Sequence, residues 1–437
     1  MAERAFSSTE LYDAWPILSV DEKVEGFQLL PPEEREPFFK QLSARDEAKL
    51  LEDFSSAERR NWIRMLAPED AADVIQETPP RAREDLVSSI DEPLKSEVKG
   101  LLAYAEDQAG GLMSPRYARL RPSMTVEEAF SYLRRDARDR EKNVYYAFVV
   151  DPQERLLGVV SFRDLFSARG DQSIQDVMRR NVVTARDDLD QEALSDLFAR
   201  HNLMMIPIVD AQSRIKGVVT HDDIIDVLRE EATEDIHKIG GMEALDAPYL
   251  QIPLSQMIKK RGGWLAALFL GEMLTATAMG YYEDQISRAV VLALFVPLII
   301  SSGGNSGSQA STLVIRAMAL KEIRISDWWR VVRREFSAGI VLGCILATIG
   351  LVRILAWQGL FHSYGEHYML IALTVAVSLI GVVLWGTLAG SVLPIVLRLL
   401  GFDPASASAP FVATLVDVTG LIIYFSVATV ILRGSLL

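Results

Sequence analysis

The sequence has one cysteine, Cys344, among 437 residues, and it lies within an apolar run. A single thiol can form neither an intrachain disulfide nor a thiolate metal cluster, so covalent staples and soft-metal centres are excluded as organising devices. No H-E-x-x-H pair occurs, and no second transmembrane aspartate completes a protease-like motif, which leaves an intramembrane hydrolase without support. Bases are scarce in the first 250 positions, with 32 against 50 acids and a net charge of −18. Such a surface argues against nucleic acid as a partner and suits multivalent cations. No apolar run opens the chain, so the expectation is that no cleavable signal peptide is present and that the acidic part stays in the cytosol.

Apolar surface, by contrast, is abundant. Hydrophobic residues make up 49% of the chain beside 24% charged ones, and the two coexist because they are segregated. Residues 251–437 hold only 9 acids and 13 bases, a net charge of +4. Five runs there are long enough to cross a bilayer, at about 263–282, 287–315, 336–357, 368–397 and 409–432. Lys259, Lys260 and Arg261, then Lys321, Arg324, Arg330, Arg333 and Arg334, then Arg398 fall on one side, whereas the loops 283–287 and 358–367 carry no Lys or Arg. The positive-inside rule therefore predicts a multi-pass protein of the cell membrane (inner or plasma), N-terminus cytosolic and C-terminus outside.

The second span is expected to be interrupted by Pro297 and then by the polar, glycine-rich stretch Ser301–Gln309. Such a run fits where backbone lines a cavity or packs tightly in protein, and fits poorly against lipid. Tight packing accounts for the glycines but not for Asn305 and Gln309, which become candidate pore-lining residues.

The last span, Phe411–Leu432, carries one charge, Asp417. A carboxylate at that depth costs about 2.5–3.5 kcal/mol on insertion scales, so intramembrane acids face a bundle interior or a watery path. Ala413, Thr414, Thr419 and Gly420 are small enough to let another helix or a hydrated ion approach. Asp417 is thus read as a cation-binding carboxylate in a pore, with Ala413, Thr414 and Gly420 lining it. Glu272 in the first span and Arg353 in the third are further charges for which structural pairing is the plainer account.

Ahead of the membrane segments, residues 1–110 repeat helix-start signals about every 12 residues: Pro31-Pro32, Ser43, Ser55, Pro68 and Pro79-Pro80, followed by acids or apolar residues. Short helices at a fixed period predict an all-α superhelical stack. Glu69 and Asp73, four apart on one helix face, could share a divalent ion, and a solvated face is the plain alternative.

Residues 111–237 change to an α/β pattern that occurs twice. Val144–Asp151 and Leu157–Ser161 read as strands before Phe162-Arg163-Asp164, and Met204–Asp210 and Ile215–Thr220 read as strands before His221-Asp222-Asp223. Amphipathic helices Val126–Arg134 and Asp190–Arg200 precede the two halves. The repeated GVVSFRD and GVVTHDD, with the Met-Ser-Pro opening at Met113, resemble a tandem pair of cystathionine-β-synthase (CBS) domains. In that family the hydroxyl and aspartate of the second motif part often hold a nucleotide's phosphate and ribose.

A strongly acidic helix follows. Asp223, Asp226, Glu230 and Glu234 lie at three- and four-residue steps, with Glu231 and Asp235 beside them. This helix repels itself unless cations bind, so it would be loose at low divalent concentration and compact at high. Residues 238–258 are expected to form a connecting (plug) helix, with breaks at Gly240-Gly241, Pro248 and Pro253, before the membrane domain at 259–437.

The stretches 303–319 (GGNSGSQASTLVIRAMA) and 403–420 (DPASASAPFVATLVDVTG), behind a helical domain and paired CBS domains, resemble the MgtE family of magnesium channels across essentially the whole chain. The resemblance implies a homodimer with its pore on the twofold axis, Asp417 of each subunit facing it, and Mg²⁺ sites in the cytosolic domains that close it. Motif by motif, it implies sensor carboxylates at Asp190, Glu192, Asp223, Asp226, Glu231, Glu234 and Asp235, with Glu69 and Asp73 from the N-terminal domain. In members that bind ATP, the matching positions are Tyr146, Arg163, Asp164 and Asp222. Partners are accordingly Mg²⁺, ATP on the CBS pair, membrane lipid and a second copy. The alternative class is a membrane-tethered CBS nucleotide sensor without transport, in which Asp417 is structural.

Overall fold

The computed structural model describes residues 7–139 and 145–436. It forms two compact units that divide between Glu231 and Ala232. The first opens with eight short helices, α1 (Ser8–Ala14), α2 (Val20–Leu29), α3 (Pro32–Phe39), α4 (Ala44–Asp53), α5 (Ser56–Ile63), α6 (Pro68–Glu77), α7 (Pro80–Ser88) and α8 (Leu94–Leu101). Their starts coincide with the expected signals: Ser43 and Ser55 are N-caps, Ser55 in a reciprocal box with Glu58, and prolines open α3, α6 and α7. A serine cap is worth about 1 kcal/mol, which helps helices this short to hold. Phe27, Phe38, Phe39, Leu50, Leu51 and Ile63 fill the stack. A buried ion pair, Lys23 to Asp46 at 2.8 Å, crosses it beneath the ring of Trp15.

After α9 (Ala109–Leu112) come β1 (Ala118–Leu120), α10 (Val126–Asp139), β2 (Tyr146–Val150), β3 (Leu156–Ser161), α11 (Phe162–Ser167) and α12 (Ile174–Val177). The second half repeats this with β4 (Ala185–Arg186), α13 (Gln191–His201), β5 (Met205–Val209) and β6 (Ile215–Thr220). Each half holds a three-stranded sheet, parallel then antiparallel, with a register shift at the same place, Val149/Val150 and Ile208/Val209. Of the strand expected over Val144–Asp151, Val144 lies outside the described residues. The glycine that opens each repeated motif has a steric cause. A Cβ on Gly158 would lie 2.8 Å from the carbonyl of Arg179, and one on Gly217 2.6 Å from that of Ser114, because a chain segment runs across each strand there. One core continues from the helical stack into the second half through Leu194, Phe198, Ile206 and Ile224.

The helix α14 (His221–Ile239) carries the acidic run and passes from one unit into the next. It stops where Gly241 turns left-handed at φ +71°. The connecting helix expected over 238–258 is therefore not one helix. Residues 240–253 are irregular, because Gly241, Pro248 and Pro253 break the α geometry, and the next helix starts only at Leu254.

Five helices are long and apolar enough to cross a membrane: α15 (Leu254–Tyr281), α17 (Val296–Ala319), α18 (Trp328–Phe361), α19 (Tyr368–Leu399) and α20 (Ala409–Ile431), with the short α16 (Glu283–Arg288) after α15. The expected interruption of the second span is not a break. Pro297 sits in the first turn of α17, where its missing N–H is tolerated, and the helix runs unbroken through Ser301–Gln309. The glycines serve packing instead. A Cβ on Gly386 or Gly390 of α19 would collide with the carbonyl oxygen of Gly303 or Gly307, and one on Gly307 would lie 2.9 Å from that of Gly386. The two backbones thus touch with no side chain between them.

Candidate cation site and cytosolic carboxylate cluster

The entry to α20 is tied to α17 by two serines of the glycine-rich run. Ser311 Oγ donates to the Ala407 carbonyl at 2.7 Å and Ser308 Oγ to that of Ala409 at 3.1 Å, while Ser408 caps the helix through the Phe411 amide. These bonds set Gly304 of α17 opposite α20, so that a Cβ there would lie 3.5 Å from Ala413 and 3.7 Å from Asp417 Oδ1. Asp417 is half-buried. On its other side Glu272 of α15 brings its carboxyl within hydrogen-bonding reach.

The other candidate pore residues divide. Asn305 and Gln309 lie on an exposed face of α17 with Ser301 and Thr312, and Gln309 borders a recess of about 440 Å³ with Ser308, Thr312 and Leu313. Ala413 is half-buried against Gly304, and Thr414 turns its methyl to Gly271 of α15. Gly420 is buried, and a Cβ on it would lie 3.0 Å from Val382 of α19, so it serves a helix crossing. Thr419 accepts from the Trp385 indole at 2.7 Å, two residues beyond Asp417, a positioning contact the sequence does not signal. Arg353 stacks on Trp357 and reaches Tyr364, well accounted for as a structural charge.

In the first unit, acids from several elements crowd together. Glu47, buried on α4, is pushed up to about 9 by loss of water and by the nearby charges of Asp70 and Asp73. Asp73 is an exposed residue, yet its carboxyl is raised to about 7, first by partial removal from water and then by Asp70, Glu69, Glu106 and Asp223. The structure thus joins the expected Glu69, Asp73 and Asp223, and adds Glu47, Asp70 and Glu106. Glu47 escaped notice because at the start of α4 it reads as an acid facing the helix dipole.

The remaining sensor candidates have local partners. Asp190 caps α13 through the Glu192 amide at 2.9 Å, with Glu192 itself exposed, and Asp226 pairs with Arg229. Glu231 accepts from Gln191 at 2.7 Å, Glu234 pairs with Lys238, and Asp235 is half-buried one residue on. Among the described residues no three acids or histidines are assembled as a ready-made metal cage.

At the expected nucleotide positions, Ser161 and Asp164 form a reciprocal cap on α11, and Asp164 also pairs with Arg179 at 3.0 Å. Partial burial pushes the Asp164 carboxyl up, but the Ser161 hydroxyl and Arg179 hold it below its ordinary value. Tyr146 is close enough to Arg179 to act on its charge. Asp222 accepts from the Thr220 hydroxyl at the start of α14, and Arg163 is exposed. Tyr146 and Asp164 are therefore brought together around a base, Arg179, that the motif alone did not single out.

A five-span membrane unit with an intramembrane carboxyl, joined to an acidic helical stack and a CBS pair, defines a membrane transporter class. Residues 296–427 match the family model described as a divalent cation transporter, residues 7–107 the MgtE intracellular N domain, and residues 109–171 and 174–230 the CBS domain. The chain is 38% identical over 428 residues to the magnesium transporter MgtE of Thermus thermophilus, covering 97% of this chain and 93% of that protein. It is 32% identical to the magnesium transporter MgtE of Enterococcus faecalis, over 77% of this chain and 72% of that one. The crystal structure of the cytosolic domain of the Mg²⁺ channel MgtE in complex with ATP is 35% identical, covers 50% of this chain and 90% of its own, and superposes with a TM-score of 0.47. This chain belongs to the MgtE family.

Proposed function

We propose that the chain is one subunit of a homodimeric, Mg²⁺-selective channel of the cell membrane. It passes Mg²⁺ into the cytosol and closes when Mg²⁺ binds the acidic carboxylates of its cytosolic unit. The observation that carries this is the setting of Asp417, a half-buried carboxyl in a membrane span between Gly304 and Glu272. Beside it α17 exposes Ser301, Asn305, Gln309 and Thr312. A polar face at that depth is costly against lipid, and a second copy of the chain, with water between the two, removes the cost. One carboxylate per subunit gives two negative charges on the axis, which matches a divalent ion. Mg²⁺ sheds water reluctantly, so small walls and few direct ligands suit it. The groups named around Asp417 offer oxygen ligands, as a hard cation prefers.

Closure follows from the crowded acids. Glu47, Glu69, Asp70, Asp73, Glu106 and Asp223 repel one another unless protonated or bridged, so Mg²⁺ draws the helical stack and the CBS pair together. The further sensor set, Asp190, Glu192, Asp226, Glu231, Glu234 and Asp235, would complete its sites with residues of the second copy. ATP would bind at Tyr146, Arg163, Asp164 and Asp222, with Arg179 leaving Asp164 to meet the phosphates, and so tune the gate.

The test is Mg²⁺ flux into proteoliposomes against cytosolic-side Mg²⁺. Flux that falls as that concentration rises, and that Asp417→Ala abolishes, is the expected outcome. Wild-type flux at background with the cytosolic side free of Mg²⁺ would leave the membrane-tethered nucleotide sensor in its place.

A further inference from the structure

In the N-terminal unit a wide cavity of about 1290 Å³ opens between the end of α6, the helices α7 and α8, and the segment 102–107 that follows α8. Small-molecule sites occupy about 300–1,000 Å³, so there is room for an organic ligand of ordinary size. The wall is held in place. Arg83 donates through Nε to the Thr78 carbonyl at 2.8 Å and through Nη2 to that of Gln76, which ties the end of α6 to α7. Tyr104 is fixed by its hydroxyl, which donates to Asp187 at 3.3 Å, and by its ring, which lies on Gly110. With Leu102 beside it, Tyr104 gives the cavity an aromatic and apolar part.

The charges on the same wall are not matched. Arg81, Lys95 and Lys99 form no ion pair and no side-chain hydrogen bond among the described residues. Lys95 and Lys99 lie four apart on one face of α8, where like charges repel, and Lys95 is half-buried besides. Of the acids at the rim, Asp85 is already bound by Arg59 at 2.9 Å, and Glu106 acts within the acid cluster on Asp73. Glu84 and Asp107 remain, two acids against three bases. The first 250 residues hold 50 acids to 32 bases, yet these three bases are left without a carboxylate.

We propose that this cavity is a binding site for an organic phosphate, with the phosphate on Arg81, Lys95 and Lys99 and the organic body against Tyr104 and Leu102. Arg81 supplies a planar fork that grips two oxygens at once, and the lysines supply point charges. That combination suits the several oxygens of a phosphate better than it suits a single carboxylate. The site shares no residue with the nucleotide positions Tyr146, Arg163, Asp164 and Asp222, and it does not depend on whether the chain conducts.

Calorimetry on the full-length protein in micelles decides it, with phenyl phosphate and inorganic phosphate as the probes. Mg²⁺ is removed with EDTA, and about 0.15 M NaCl screens diffuse attraction. Wild type is expected to bind phenyl phosphate at one site per chain and more tightly than inorganic phosphate. The double variant Lys95→Gln with Lys99→Gln should bind it about tenfold more weakly, having lost two charge-assisted contacts, while Lys95→Arg with Lys99→Arg should bind as wild type does. Asp164→Ala should leave this binding in place. Unchanged affinity in the double glutamine variant would overturn the proposal, as would no binding to wild type at millimolar phenyl phosphate. Binding that is lost in Asp164→Ala and kept in the double glutamine variant would move the phosphate to the CBS pair. Equal affinity for the two probes would remove the organic part of the ligand.

Discussion

Carboxylates are gathered in two places, and by opposite means. In the N-terminal unit Glu47, Asp70 and Asp73 come from two helices and are joined by Glu69, Glu106 and Asp223, many charges with few bases among them. Within the membrane spans, Asp417 and Glu272 form a pair set among Gly271, Gly304 and Ala413. A crowd of acids raises its own proton affinity and so responds to how much cation is present. In the proposed channel, a pair in a small-walled setting would hold an ion weakly enough to release it. One arrangement suits measurement, the other passage.

The contrast breaks most completely at Asp417. Asp417→Ala is expected to bring flux to background while leaving the melting behaviour of the protein near wild type, and surviving flux would move the conduction site elsewhere. Next in size is the glycine crossing. Gly386→Ala forces a methyl onto the Gly303 carbonyl and should cost about 1–3 kcal/mol of stability, read in thermal unfolding in micelles. An unshifted melting curve would mean that α17 and α19 are not packed backbone to backbone.

The N-terminal cluster gives the next prediction, and its sign can be worked out. The folded-state values of Glu47, about 9, and Asp73, about 7, lie above their ordinary values of 4.5 and 3.8. The folded state therefore holds more protons than the unfolded one across that range, and stability falls as pH rises from about 4 toward 9. Mg²⁺ replaces those protons, so its protection of the N-terminal unit against proteolysis should be larger at pH 8 than at pH 6. Equal protection at both would detach the cluster from ion binding. The smallest expected effect is that of Glu272→Gln: flux reduced severalfold but still closed by Mg²⁺, measured as for wild type. Flux identical to wild type would make Asp417 the sole acid of the path.

Much of this was legible in the sequence because it is local. Caps at Ser43 and Ser55, prolines at helix starts, and the doubled strand–turn–strand pattern depend on residues a few positions apart, and the structure places them where those signals stand. The five spans were legible for the same reason. What escaped depends on which helix lies beside which. Nothing in the sequence tells that Gly420 packs against Val382. Glu272 and Asp417 are far apart in the chain and meet only because α15 lies on α20. The Ser301–Gln309 run was expected to interrupt its span because a polar, glycine-rich stretch fits poorly against lipid, but it stays helical because its glycines pack directly on α19.

The first span, α15, has no buried residue of its own and rests chiefly on α20. A helix held mainly by one neighbour follows the movements of that neighbour. If α20 tilts, Glu272 rides along and its spacing to Asp417 is preserved. The pair of acids would then keep its geometry through such a movement, and neither would have to change rotamer.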